Sequence, residues 1–234
     1  MQRFMSDPDF SKKIREFVNN NRKSFTDKDI KAIERAMRDE PSVFQSMIHY
    51  LLESSGVDVI GELNGRMPSY YYVYNDIIKY YKVPEALNIG NCAFQFCTNL
   101  ERVDMNDEVV DIGYEAFSEC LRLKYVKFSD AGRLKTIGNE AFYHCDSLHH
   151  IDLPEGLEEI GSSAFAYSGL KSIYLPSTLG WISDCAFKFC TDLISVIYNG
   201  TKDEFLNKVM KSSRWDEDVT IHSISCVDGI LQWQ

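Results

Sequence analysis

No stretch of the 234-residue chain approaches the ~18–20 consecutive apolar residues that a helical membrane span requires. The opening MQRFMSDPDFSKKIREF has no apolar core of the kind a secretory leader carries, so a chain that starts at Met1 is expected in the cytoplasm and not at a membrane. Also missing are a glycine loop that cradles phosphate, a dinucleotide fingerprint and a Gly-x-Ser-x-Gly elbow, which removes the specific arguments for nucleotide-dependent or serine-hydrolase chemistry. Positive charge is short after residue 55. Residues 1–55 hold 10 Lys and Arg against 9 Asp and Glu, whereas residues 56–234 hold 15 against 26. An acidic surface repels phosphate backbones, so ordinary nucleic-acid binding is not expected.

What the chain does have is repetition. The phrase Ile-Gly/Ser, two variable residues, Ala-Phe, a Cys or Ser, then a Leu opening a strand begins at Ile89, Ile112, Ile137, Ile160 and Ile182, at spacings of 23, 25, 23 and 22 residues. A fixed period in this range marks a solenoid, each copy burying its apolar face only against its neighbours. The link from the second copy to the third carries two extra residues near Asp130-Ala131, and the fourth copy is one residue short around Ser168-Gly169. Half a copy precedes the first, with Ile78, Tyr81 and Val83 in the places of Leu148, Ile151 and Leu153, which predicts a sixth rung.

The flanks read differently. Residues 1–55 predict helices: Phe10, Ile14, Phe17 and Val18 form one amphipathic segment, Thr26 and Asp29 open a second, and Val43 to Leu52 form a stripe at helical spacing. Residues 56–77, punctuated by Gly61, Asn64-Gly65 and Pro68 and rich in Tyr, are expected to link these helices to the first rung and cap it. Residues 78–198 are the repeats. Residues 199–234 predict a C-terminal cap: a capping box over Thr201–Glu204, a helix with Phe205, Val209 and Met210, then Trp215 and an alternating segment from Val219 to Cys226.

The repeat absorbs most residues that would otherwise suggest chemistry. Cys97, Cys120, Cys145 and Cys190 share one column and Cys92 and Cys185 another, and both columns are expected to point into the core as reduced thiols. The pairs Cys92/Cys97 and Cys185/Cys190 resemble zinc ligands, but four rungs at ~4.8 Å separate them by ~19 Å, against the ~2.3 Å that zinc requires of each thiolate. His144, Cys145, Asp146, His149 and His150 resemble a nucleophile with a base, yet a core Cys forms a thiolate with difficulty, and His144 belongs to a loop while His150 belongs to a strand. Glu158-Glu159 and Asp216-Glu217-Asp218 fall in turns, without the converging oxygens of a calcium site. The expectation is no catalytic residue, no metal and no cofactor.

These motifs resemble the BspA-type leucine-rich repeat family, in the Leu-x-x-Ile-x-Leu-Pro strand and the Ile-Gly-x-x-Ala-Phe-x-x-Cys-x-x-Leu stretch over residues 78–198. The tail is similar too, from Tyr198-Asn-Gly-Thr-Lys-Asp-Glu-Phe205 through Trp215 to Ile224-Ser-Cys226-Val-Asp228-Gly229. Residues 1–77 carry no such resemblance. The resemblance implies an α/β leucine-rich-repeat solenoid of about six rungs with a parallel sheet on one face, and a non-enzymatic scaffold that binds protein. Many family members act on bacterial surfaces. Because this chain shows no export signal, the expectation is an intracellular adaptor or inhibitor of bacterial or phage origin. The rival expectation is a structural component of a larger assembly, a virion or an adhesin-like surface protein, in which homo-oligomerisation is the function.

In such a strand the third and fifth positions face outward. That assigns the protein-binding face to Arg102 and Asp104, Tyr125 and Lys127, His150 and Asp152, Ser172 and Tyr174, and Ser195 and Ile197. Six strands at ~4.8 Å span ~24 Å, a surface suited to a protein or peptide. The helical stripe from Val43 to Leu52 and the six tyrosines from Tyr70 to Tyr81 are the competing interface.

Overall fold

A computed structural model describes residues 67, 69, 72, 78–83, 86–129, 132–209, 214–219 and 221–233. The helices expected over residues 1–55, most of the segment 56–77 and the two extra residues Asp130-Ala131 lie outside the described residues.

Each repeat contributes one two-residue strand at its Ile and one longer strand after its Leu. The short set is β2 (Asn88–Ile89), β4 (Asp111–Ile112), β6 (Thr136–Ile137), β8 (Glu159–Ile160) and β10 (Trp181–Ile182). The longer set is β1 (Tyr80–Lys82), β3 (Arg102–Asp104), β5 (Tyr125–Lys127), β7 (His150–Asp152), β9 (Ser172–Leu175) and β11 (Ser195–Tyr198). The short strands form one parallel sheet in the order β10-β8-β6-β4-β2, with Ile89, Ile112, Ile137, Ile160 and Ile182 in register and buried. The predicted sixth rung is present: β1 pairs with β3, and Ile78, Tyr81 and Val83 are buried as their counterparts are.

The Ala-Phe column builds the core. Phe94, Phe117, Phe142, Phe165 and Phe187 stack ring on ring, with centroids 5.0–5.4 Å apart and planes within 5–8° of parallel. Burial of each ring contributes about 1.5–3 kcal/mol. Aromatic rings set at an angle close the stack. Tyr72 and Tyr81 tilt against Phe94, and Trp215 meets Phe187 edge-on at 5.7 Å. The glycines after Ile112, Ile137 and Ile160 permit the tight pitch there, since a Cβ on Gly138 would sit 2.9 Å from the Gly113 carbonyl oxygen.

The major cysteine column points inward as expected. Each thiol donates to a carbonyl one rung back: Cys97 to Tyr72, Cys120 to Phe94, Cys145 to Phe117 and Cys190 to Phe165, at 3.0–3.3 Å. The other column behaves differently from its expectation. Cys92 is buried but Cys185 is only half-buried, and their column mates are Glu115, Glu140 and Ser163. All five have φ of 51–59°. The column is therefore a rim of left-handed turns, where Cys185 donates to the Glu217 carboxylate at 3.1 Å.

Beyond β11 the expected capping box forms, with the Glu204 N–H donating to Thr201 Oγ1 and the Thr201 N–H to Glu204 Oε2. It opens α1 (Lys202–Glu204), which continues as a π-helical turn over Phe205–Val209. Strand β12 (Ser223–Cys226) then extends the sheet parallel to β11, and β13 (Gly229–Gln232) folds back antiparallel on β12.

Candidate protein-binding face

Strand alternation sets this face. Val103, Ile151, Ile173 and Val196 turn into the core at 0–2% exposure, and their neighbours along the strand turn out. Register lines the outward residues up in two columns. Tyr80, Arg102 and Tyr125 run across β1, β3 and β5 beside Lys82, Asp104 and Lys127. His150, Ser172 and Ser195 run across β7, β9 and β11 beside Asp152, Tyr174 and Ile197. All ten positions expected from the sequence lie on these strands. Arg102, Tyr125, Lys127, His150, Asp152 and Ile197 are exposed, and Asp104, Ser172, Tyr174 and Ser195 are half-buried. Tyr80 and Lys82 belong to the same face, although the sequence reading did not include them. The signal was available: they flank Tyr81, which occupies a buried strand position.

The two columns do not form one ladder. The strands pair as β1-β3-β5 and, separately, as β7-β9-β11-β12-β13. The interruption falls in the repeat with the longest spacing, 25 residues. There the core-facing side chains of β5 and the residue after it lose cover: Val126 and Phe128 are half-buried, whereas the corresponding Ile151 and Leu153 are each 1% exposed. An open hollow of about 610 Å³ lies over this junction, lined by Arg102, Tyr125, Lys127, Phe128, His150, Asp152, Pro154, Glu155 and Tyr174, among others.

On the face Arg102 and Asp104 neutralise one another. Arg102 grips Asp104 with Nε on Oδ1 at 2.7 Å and Nη2 on Oδ2 at 3.1 Å, and Tyr80 donates to the same carboxylate at 3.0 Å. The Arg102 bond holds the Asp104 carboxyl below its ordinary range, so it stays ionised. His150 bridges Asp152 through Nε2 at 2.9 Å and the Ser172 hydroxyl through Nδ1 at 2.6 Å. Burial, and then the nearby Glu155 and Asp152 carboxylates, push the Tyr174 phenol up and keep it neutral. The face thus carries aromatic rims with oriented donors and acceptors, and Ser172, His150 and Asp152 stand in hydrogen-bond order on the open strand surface.

The remaining chemical candidates are scattered. Cys145 is fully buried and burial raises its thiol well above the ordinary range. His144 stacks on Tyr167 at 4.8 Å on the turn side, while His150 stands on the strand face. Among the described residues no group of three or more His, Cys, Asp or Glu gathers where a metal ion would be held. No helix of the described residues is long and apolar enough to cross a membrane.

A parallel-stranded solenoid with an aromatic core stack and a strand face of mixed charge defines the class: a leucine-rich-repeat scaffold. The chain belongs to the BspA-type leucine-rich repeat family, whose region matches residues 66–209 in six copies. No curated protein matches the sequence. Solved structures of the same fold include a leucine-rich cell surface protein of Faecalibacterium prausnitzii A2-165, 34% identical over 57% of this chain and 35% of that one, with a TM-score of 0.54. The leucine-rich repeat protein of T. pallidum is 28% identical over 56% of this chain and 61% of that one, with a TM-score of 0.51. The chain thus spans about a third of the first and three-fifths of the second.

Proposed function

We propose that the chain is a non-enzymatic scaffold that captures a protein partner on its strand face, as an intracellular adaptor or inhibitor of bacterial or phage origin. The observation that carries this reading is the registered pair of outward columns from Tyr80 to Ile197, in which Tyr125, 64% exposed, and Tyr174 stand among charged and hydroxyl groups. Aromatic and Arg side chains set among polar ones supply most of the energy at protein interfaces. Seven free cysteines, five of them buried, support a reducing compartment. Double substitution Tyr125→Ala with Tyr174→Ala is expected to abolish partner capture from lysate of the source cell while the melting temperature stays unchanged. Capture that survives both substitutions would move the interface elsewhere, to residues 1–55 in the first instance.

A second reading is favoured by one comparison. The 34% identity to a cell surface protein supports a surface-associated component that works by assembly or adhesion. Protease accessibility on intact cells separates the two: a chain cleaved on whole cells is at the surface, and one protected until lysis is inside.

A further inference from the structure

The turn side of the stack carries a ladder of rings that belongs neither to the core nor to the strand face. One residue of each repeat stands there in the left-handed region: Phe96, Glu119, His144, Tyr167 and Phe189, with φ of 52–61°. Backbone bonds set them on successive rungs. The Phe96 N–H donates to Ser118, the Glu119 N–H to Tyr143, the His144 N–H to Ala166 and the Tyr167 N–H to Lys188. Bulky side chains are costly at positive φ, where Gly or Asn fits a turn better. The backbone therefore does not explain why every member of the column but Glu119 is a ring.

The last three rings stack. His144 lies on Tyr167 with centroids 4.8 Å apart and planes 13° from parallel, and Tyr167 meets Phe189 at 4.7 Å. Tyr143 meets His144 and Tyr167 edge-on, at 4.8 and 5.4 Å. A ring about equally far from both members of a stacked pair lies beside the pair. Tyr143 thus braces the flank and leaves the His144 face toward Glu119 uncovered by it. Tyr167 and Phe189 are each 38% exposed and His144 is half-buried, so the ladder reaches the surface.

At Glu119 the ladder changes chemistry. A carboxylate stands where the column elsewhere puts a ring, one rung from Phe96 and one from His144. At ~4.8 Å per rung those neighbours lie ~10 Å apart, which leaves one planar layer between their levels. Glu119 is half-buried, and among the described residues its carboxylate has no hydrogen-bond or ion-pair partner. Glu115 on the same rung differs, accepting from Gln95 at 2.6 Å and from Tyr114 at 2.8 Å. No cation of these turns compensates Glu119. Residues 90–98, 113–121, 138–146 and 161–169 hold Glu115, Glu119, Glu140 and Asp146 and not one Lys or Arg.

We infer that the Glu119 position receives an arginine side chain of a protein partner, its guanidinium layered on the uncovered face of His144 and bonded to the Glu119 carboxylate. Arginine fits where lysine does not, because the guanidinium is planar, stacks on rings and donates through a fork that matches a carboxylate. This contact lies apart from the strand face and does not rest on the reading of that face.

The test selects phage-displayed random nonapeptides on the full chain carrying Tyr125→Ala and Tyr174→Ala, a bait that sets strand-face binders aside. The selected peptides are titrated against the same bait with Glu119→Gln, Glu119→Arg or His144→Ala added. The expected consensus contains Arg. Glu119→Gln is expected to weaken those peptides about tenfold or more, and His144→Ala about threefold or more. Glu119→Arg is expected to reject them and to accept counterparts with Glu in place of Arg, an exchange that a merely structural Glu119 would not produce. Gln is isosteric with Glu at this half-buried site, so the fold is kept, and thermal melting of each variant checks it. Peptides without Arg, peptides indifferent to both Glu119→Gln and His144→Ala, or no peptides at all would overturn the arginine site and leave the strand-face reading untouched. Lys peptides that bind as tightly as their Arg counterparts would overturn it as well, since a point charge needs no ring beneath it.

Discussion

Phe142 sits with Phe117 and Phe165 on either side at 5.2 Å, and its ring is wholly inside. Its removal leaves a void bounded by two rungs that cannot close without breaking their hydrogen bonds. Phe142→Ala is therefore expected to cost about 3–5 kcal/mol, measured by denaturant unfolding. Glu140, on the left-handed rim with φ of 56°, is destabilising in a different way. Partial burial, and then the neighbouring Glu115 carboxylate, raise its pKa in the folded protein. Between the unfolded and folded values the native state binds more protons than the unfolded chain, so stability falls as pH rises through that window. Glu140→Gln is expected to raise the melting temperature at neutral pH and to flatten its dependence on pH just above the ordinary carboxylate range. A variant with the wild-type pH profile would refute this. Residues of the core columns, Phe142 and Cys145 among them, were legible because Phe recurs there in all five copies and Cys in four, with Ser168 in the other. The rim column was not, because the left-handed positions are filled by Cys, Glu and Ser where a single sequence leads one to look for Gly or Asn.

At the scale of strands, the outward positions followed from period-two alternation, and all ten lie where that alternation puts them. The break between β5 and β7 was not legible in the same way. Tyr125-Val126-Lys127 alternates as well as Arg102-Val103-Asp104 does, and side-chain pattern says nothing about whether neighbouring backbones come within bonding distance. Only the 25-residue spacing hinted at it, and extra residues in a loop are ordinarily absorbed without effect on a ladder. The break makes a local prediction. The Val126 amide should exchange with solvent at least ~10-fold faster than those of Val103 and Ile173, which lie inside continuous ladders. Hydrogen–deuterium exchange with residue resolution measures this directly, and equal protection at the three sites would mean that the ladder is closed in solution.

Taken whole, the molecule is a stack in which each rung is stabilised by the two beside it, so its ends decide whether it stays a single particle. At the C-terminal end two devices close it. Trp215 covers Phe187 edge-on and packs on Trp233 at 5.7 Å, and β13, running antiparallel, ends the series of parallel strands. A second copy cannot continue the parallel strand series at that end, which argues against open-ended growth there as the function. The indole is the piece that joins the devices, since Phe205 also meets Trp215, at 6.1 Å. Trp215→Ala is expected to cost about 3–5 kcal/mol, borne by the last rung and β12–β13, while the rungs from β3 to β9 keep their protection. Fraying there frees the far edge of β11, a row of unpaired backbone groups beside buried Phe187 and Tyr198, and such edges associate. Sedimentation velocity over a range of concentrations is expected to show rising mass for Trp215→Ala and constant mass for wild type. A variant that keeps a constant mass would mean that β12 and β13 seal the stack without the indole, and growth of the wild type would restore self-assembly as the function.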